Sequence, residues 1–300
     1  MTYIYLLAGE NLELAEAELN GFLRSQGIEE KPERDGRLGF TDSHPGMLKR
    51  LALTHEVAEK IDVENFRPEG RYAVRAENLT GGEIDKEEIE ERLGEKLSTS
   101  GNNVDLENPE TLVKAFVTPE RTFYGEMVQN IDRGLFNERS NEKRPFSSPV
   151  SLDPVLARVL VNLSEVPAGG KVLDPFCGTG GILIEAGLCG IGVKGLDFQE
   201  EMVAGTEENL EKYGILNYDI RQGDILDAEE EFESFDAVIS DLPYGKASKK
   251  EGRPVEKFLE FIEKRKAVFM YNEASVGDYE ADFEVFVHRN LTRYIYVLDQ

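Results

Sequence analysis

Apolar and polar positions in the first half of the chain alternate with short periods, as in small α+β units. Tyr3 to Ala8 is a β-rich run, and Leu12, Ala15, Leu19 and Leu23 fall at helical spacing. Arg37 to Thr41 reads as a strand after the Asp35-Gly36 turn, followed by a helix over Met47 to Leu53 and a strand over Val57 to Val63. Phe66-Arg67-Pro68-Glu69-Gly70 reads as a linker, because Pro and Gly stop regular structure on both sides. A second unit then has a strand (Tyr72 to Ala76), a charged helix (Lys86 to Lys96), the turn-rich Ser98 to Asn103, and two β-like runs, Thr111 to Val117 and Thr122 to Gln129. The polar, basic, proline-containing stretch Ile131 to Pro149 is the best domain boundary in the chain.

From Ser151 the pattern changes to helices alternating with short apolar strands. A helix over Pro154 to Leu163 precedes the strand Lys171 to Leu173, which runs into Asp174-Pro175-Phe176-Cys177-Gly178-Thr179-Gly180-Gly181 and then the apolar helix Ile182 to Leu188. Strand, glycine loop and helix in that order open a βαβ unit. Val193 to Leu196 ends at Asp197, Asp219 to Arg221 precedes Gly223-Asp224, and Ala237 to Ser240 ends at Asp241. In a parallel sheet these four aspartates line one carboxyl edge, where open α/β sheets bind ligands.

Length and composition agree with this plan and narrow the chemistry. The chain has 300 residues, 40% of them hydrophobic, enough for buried cores in at least two domains. No apolar run is long enough to cross a bilayer, and Met1 to Ala8 lacks the basic start of a signal peptide. Two cysteines and three histidines show no metal-ligand spacing, so a metal-free, reduced, cytoplasmic protein is expected. The net charge of -25 repels a polyanion at long range. A nucleic acid should therefore meet the two segments that depart from the trend. These are Arg133 to Pro149, with Arg139, Lys143 and Arg144, and Leu242 to Lys266, with Lys246, Lys249 and Lys250.

Gly178, Gly180 and Gly181 allow a ligand to approach the backbone closely, but the spacing is not that of a dinucleotide fingerprint and no phosphate-loop lysine follows. A strand that ends in an acid repels phosphate and suits a cationic ligand such as S-adenosylmethionine. Its amino group can meet Asp174, its ribose hydroxyls Asp197, and its adenine amino group Asp224. The plain alternative is that Asp-Pro and Gly-Asp are turn residues; it weakens when all four aspartates fall in order.

Ser240-Asp241-Leu242-Pro243-Tyr244-Gly245 carries the sharpest chemistry. Methyl transfer to an exocyclic amine requires acceptors for the two amine protons and a flat ring to hold the base. The Asp241 carboxylate and the Leu242 carbonyl can accept, Pro243 fixes the backbone, and Tyr244 can stack. A strand-ending turn is the alternative for this run as well.

These residues resemble the Rossmann-fold amino-methyltransferases of nucleic acids. More narrowly, the chain resembles the archaeal THUMP-containing tRNA guanosine N2-methyltransferases that modify position 10. Val172 to Gly181 and Asp241 to Tyr244 carry the catalytic half of the likeness. Val104 to Glu110 is similar to the THUMP signature, Leu7 to Asn11 with Ala17 to Leu19 to the start of the preceding ferredoxin-like domain, and Val287 to Arg293 to the family's ending. Lys143 to Pro149 resembles the segment in which the family sets an aromatic against the methyl donor, and Phe146 is the matching position. Phe176 and Ile225 fall to the donor side with it. Leu242 stands where the commonest motif has its first proline, and still offers a carbonyl.

The resemblance implies a doubly wound α/β methyltransferase domain preceded by α+β ferredoxin-like and THUMP domains. The expected boundaries are 1–67, 68–130, a linker at 131–149, and 150–300. The implied function is S-adenosylmethionine-dependent mono- or dimethylation of a tRNA guanosine, with tRNA as partner, room for a small methyltransferase activator protein, and neither DNA nor membrane. Another tRNA guanosine such as position 6, an rRNA target, and a non-catalytic RNA-binding or chaperone protein remain alternatives.

Overall fold

Eight short strands of the first 130 residues pair into one sheet. They are β1 (Tyr3–Leu7), β2 (Glu33–Asp35), β3 (Leu38–Thr41), β4 (Thr54–Lys60), β5 (Gly70–Asn78), β6 (Asn102–Val104), β7 (Thr111–Val117) and β8 (Thr122–Asn130), with helices α1 (Leu12–Ser25) and α2 (Lys86–Leu97). The computed structural model describes residues 1–43, 46–148, 151–243, 254–288 and 291–299. The strand order is β2-β3-β1-β4-β8-β7-β5-β6, parallel only where β5 meets β6 and β7. Helix α2 carries the chain from β5 to β6, as a parallel crossover requires. Its Leu93 and Leu97 pack on Tyr72, Val74, Val113 and Ala115, and the buried Tyr72 hydroxyl donates to the Gly94 carbonyl at 2.7 Å. The strands on either side of residues 67 and 68 belong to this same sheet.

The chain forms two compact units. The first is Met1–Glu16, Ile28–Lys49 and Leu53–Asp132; the second is Ala17–Gly27, Arg50–Ala52 and Arg133–Gln300. Two short pieces from the N-terminal half thus group with the second unit, and buried polar bonds explain it. The Glu18 carboxylate accepts from the Ala52 amide and from Asn162 Nδ2, each at 2.7 Å. Arg50 donates to Asn162 Oδ1 at 2.7 Å and to the Val166 carbonyl at 2.9 Å. These commitments also correct the helix expected over Met47 to Leu53. Only a 3-10 turn at Leu48–Arg50 forms, because the Ala52 amide is taken by Glu18 and the Leu53 carbonyl accepts from Ala8. The following strand starts at Thr54, where pairing with Leu7 of β1 begins, rather than at Val57.

The second unit continues with helices α3 (Gly134–Asn137), α4 (Pro154–Leu163), α5 (Gly181–Leu188), α6 (Glu200–Lys212), α7 (Ala228–Glu231) and α8 (Pro254–Ile262). Its strands are β9 (Lys171–Asp174), β10 (Gly192–Asp197), β11 (Tyr218–Gln222), β12 (Ala237–Asp241), β13 (Ala267–Tyr271), the small hairpin β14 (Ser275–Val276) and β15 (Tyr279–Glu280), β16 (Phe283–His288) and β17 (Leu291–Leu298). Seven of them form the order β11-β10-β9-β12-β13-β17-β16, parallel from β11 to β13, with β17 and β16 antiparallel. This is the doubly wound sheet expected from the sequence. Helix α4 starts where Pro154 follows the N-cap Asp153, whose carboxylate accepts from the Val155 amide at 2.9 Å. The core over β12 and β13 closes on Phe258, Phe269 and Tyr296, the last two stacked at 4.5 Å. The acidic run Asp227 to Glu233 contains α7; Glu231 pairs with Arg221 at 2.5 Å and Glu229 with Arg265. Among the described residues no helix is long and apolar enough to cross a membrane.

On α5, the wholly buried Glu185 sits between two arginines, with Arg139 Nε at 2.6 Å and Arg158 at 2.7 Å. Removing one partner of a buried pair leaves charge uncompensated. Glu185→Ala should therefore destabilise the second unit by about 3–5 kcal/mol in denaturant unfolding. Glu138→Ala, which removes the exposed partner of Lys143, should change stability by less than about 1 kcal/mol.

Candidate active site

The strand order turns at the boundary between β9 and β12. Connections leave these two neighbours in opposite directions, so a crevice opens at their carboxyl ends. Three strand-end carboxylates face it. Asp174 closes β9, Asp197 closes β10 and Asp241 closes β12, and all three line a cavity of about 670 Å³. Asp224, which follows β11, lines it too.

Asp174 is buried and accepts from Ser240 Oγ on β12 at 2.7 Å and from the Phe176 amide at 3.1 Å. Burial, and secondarily the charge of Asp197, push its carboxyl up to about 7 against the pull of those two donors. Asp197 accepts from the Gly178 amide at 3.1 Å and the Gln199 amide at 3.0 Å, which fixes the plane of its carboxylate.

The glycine loop is pinned on several sides. Thr206 donates to the Gly178 carbonyl at 2.6 Å, Asn209 to the Thr179 carbonyl at 2.9 Å, and Ser151 and Thr179 share a hydroxyl bond at 2.9 Å. Gly178 and Gly180 have positive φ, 52° and 76°, which a side chain would disfavour. Cys177 in this loop is buried, and burial beside Asp174 and Asp197 pushes its thiol well above the ordinary range, so it is no nucleophile.

Several expected residues converge as the sequence placed them: Asp174, Phe176, Gly178, Asp197, Asp224, Ile225, Asp241, Leu242 and Pro243 all border the cavity. The Leu242 amide donates to the Met270 carbonyl at 2.9 Å, which holds the motif against β13. Asp224 borders the cavity as half of an ion pair, with Lys257 Nζ of α8 at 2.9 Å. Partial burial would raise its pKa, but the Lys257 ammonium and the Leu226 amide outweigh burial and lower it overall.

Other expected residues sit elsewhere. Phe146 is absent from the cavity lining; its ring lies on Gly205 of α6, where a Cβ would collide with it, and its backbone exchanges hydrogen bonds with Asn209 at 3.0 and 2.8 Å. Gly180 also lies outside the lining and serves as the left-handed cap of α5 against Thr206. Two members of the basic island before the domain face inward: Arg144 is buried and donates to the Arg139 carbonyl at 2.9 Å, and Arg139 pairs with Glu185, whereas Lys143 is exposed and pairs with the exposed Glu138 at 2.6 Å. Tyr244, Lys246, Lys249 and Lys250 lie outside the described residues.

The structure adds residues that sequence reasoning missed. Phe198, exposed beside Asp197, and Lys257 both line the cavity. Arg293 of β17, itself buried, places its guanidinium against Asp241 Oδ1. Burial lowers the Arg293 pKa to about 10, so it stays charged at neutral pH. An aromatic directly after a strand-end acid was a readable signal for Phe198. Nothing local marked Arg293, which lies 52 residues beyond its partner.

The UPF0020 family, RMKL-like, methyltransferase domain, matches residues 141–297. A tRNA (guanine(10)-N2)-dimethyltransferase of Methanothermobacter thermautotrophicus is 38% identical over 285 residues, 88% of this chain and 84% of the relative. The chain belongs to this methyltransferase family. The Pyrococcus abyssi protein of the same name is 31% identical and covers 100% of this chain and 99% of its own. Among solved structures, TrmN from Thermus thermophilus aligns over the full length of both chains with a TM-score of 0.54 at 20% identity, a likeness of fold.

The donor set fits the methyl donor of such enzymes. Two acids without a phosphate-binding lysine at the glycine loop suit a cationic group, and the cavity lies in the size range of small-molecule sites. The raised Asp174 has a consequence for pH. The folded protein keeps this proton between the unfolded carboxyl pKa and about 7, so stability from this group is full at low pH and falls as pH rises to about 7. Asp174→Asn should raise the melting temperature at pH 8, with the gain vanishing near pH 4. Titration with S-adenosylmethionine should show wild-type affinity weakening below about pH 7 and the Asn variant binding poorly throughout. A pH-independent difference in melting would contradict this account.

Proposed function

We propose that this chain transfers methyl groups from S-adenosylmethionine to the exocyclic N2 of a tRNA guanosine, at position 10 as in its archaeal relatives. One observation carries the reading. Asp241-Leu242-Pro243 borders the same crevice as Asp174 and Asp197, which brings acceptors for an amine beside acids suited to a cationic donor. The donor supplies an electrophilic methyl group on a sulfonium.

The residues of the chain do the rest. Asp174 takes the donor's ammonium, Asp197 its ribose hydroxyls, and Phe198 and Ile225 flank the adenine. Asp224 reaches the adenine amino group with one oxygen while Lys257 holds the carboxylate. The guanine N2 lone pair is conjugated with its ring and is a poor nucleophile. Asp241 and the Leu242 carbonyl accept its two N–H groups, which turns the lone pair out of the ring plane toward the methyl group. Tyr244 follows directly in the chain and supplies the flat ring for the base. The N-terminal unit, with its THUMP-like segment, holds the tRNA, and the enzyme works in the cytoplasm, with or without a small activator protein. That RNA-directed half argues against DNA as substrate.

Asp241→Ala should slow single-turnover methylation of tRNA by at least about 10²-fold, as expected for loss of a positioned catalytic group, with donor affinity unchanged. Nucleoside mass spectrometry of the product identifies the methylated position; a wild-type rate for the folded variant would end the mechanism. For RNA binding, the inward-facing Arg139 and Arg144 leave Lys143, Lys246, Lys249 and Lys250 as the candidates. Replacing all four by Gln should weaken tRNA binding and reduce its salt slope by about one for each phosphate that no longer meets a lysine. An unchanged slope would remove them from the interface.

A further inference from the structure

We infer that Arg293 is a positioning residue of the methyl-transfer site: its buried guanidinium holds the Asp241 carboxylate by Oδ1 and leaves Oδ2 to accept the guanine amine. The assignment rests on the functional reading above and deepens it. Arg293 belongs to β17, the antiparallel neighbour of β13, whose pairing sets Met270 opposite Ile295 and Tyr271 opposite Tyr294. This register places Arg293 just past the carboxyl end of β13, on the side where Asp241 ends the adjoining β12. Only 3% of Arg293 is exposed, whereas the Asp241 side chain keeps 19% of its surface open toward the cavity.

Burying a guanidinium at a strand end is costly unless a counter-charge meets it. Asp241 provides that charge, and the arginine's planar fork restricts how the carboxylate can rotate. An aspartate ending a strand with one face in a cavity has two easy χ angles. A rigid cation behind it selects one orientation, which matters when the other oxygen must meet an amine hydrogen in line with methyl transfer.

The pairing also separates two roles that a carboxylate could play. A carboxylate held by a cation remains a hydrogen-bond acceptor. The reaction asks no more of it than that. The nitrogen lone pair forms the new N–C bond as the C–S bond breaks and its electrons return to sulfur. The methylated nitrogen then carries a positive charge, which makes its remaining protons acidic enough to leave to water. Asp241 is thus an oriented acceptor whose task is complete at the transition state.

The test uses Arg293→Met, Arg293→Lys, Asp241→Asn and the Arg293→Met/Asp241→Asn pair, in the full chain with tRNA and S-adenosylmethionine saturating. Arg293→Met should slow single turnover on the order of 10²-fold, a typical effect of small misplacement, with donor affinity by calorimetry unchanged. Arg293→Lys should recover about tenfold of that loss, because it restores charge without the fork. In the Asp241→Asn background, Arg293→Met should cost less than about threefold more, since the oxygen that positioning would present to the amine has become an amide NH2. A general structural role predicts instead equal losses in both backgrounds, and that outcome overturns the proposal. So does a wild-type rate for Arg293→Met, or a loss confined to donor binding. If the Met variant does not fold, Arg293→Lys decides alone: about tenfold slower with intact donor affinity supports the assignment, and a wild-type rate overturns it. A wild-type enzyme that leaves tRNA unmethylated would sink the functional reading and this assignment together, whereas an active wild type with an equally active Arg293→Met sinks only the assignment.

Discussion

Beyond the backbone ladder, a side-chain hydrogen bond ties the carboxyl ends of the two strands where the sheet reverses its order. Asp174 at the end of β9 accepts from Ser240 on β12, and these are the two strands whose connections part in opposite directions. The crevice is a topological necessity of that order, but its usable shape is not. Without a tie between the two strand ends, the glycine loop after Asp174 and the motif after Ser240 would be positioned independently. With it, the donor side and the acceptor side share one frame. The loop is then fixed by Asp197 at the end of β10, by Thr206 and Asn209 of α6, and by Ser151 ahead of α4.

The electrostatics follow an unusual division. The chain has 34 basic residues against 59 acidic ones, and several arginines are turned inward to neutralise buried acids or to cap carbonyls. Arg50 serves the Glu18 and Asn162 cluster, Arg139 and Arg158 serve Glu185, and Arg293 serves Asp241. Each would count as a free cation in a tally of charge along the sequence. The outer surface is accordingly more acidic than the net charge conveys, and RNA must be met by local cations.

The legible part of the molecule was the part written in short-range pattern. Strand-glycine loop-helix and the aspartates after apolar runs depend on neighbours in sequence, so β9, α5, β10, β12 and the carboxylates at their ends were readable. Contacts between distant segments were not. Arg144 and Arg139 look like an RNA-binding cluster until burial against α5 is known. That the Phe146 ring would pack on Gly205 of α6 was likewise not legible from its neighbours in sequence. The merging of the first 130 residues into one sheet depends on β4 pairing with β8, some 70 residues away, and no local signal announces it. The helix expected over Met47 to Leu53 failed for a related reason, because Glu18 claims a backbone amide from across the fold.

The position of β17 has a bearing on assembly. β16 precedes it in the chain yet lies at the sheet's outer edge and, among the described residues, hydrogen-bonds to the sheet only through β17. The later strand must therefore dock on β13 before, or together with, the earlier one. Docking of β17 is also the event that delivers Arg293 to Asp241. A chain in which β17 has not yet docked could have β9, β10 and β12 in place and the crevice formed, while the Asp241 carboxylate, the acceptor proposed above, still rotates without its cation. The two sides of the crevice would then mature at separate moments of folding, the second waiting on a strand that joins the sheet after the crevice has formed.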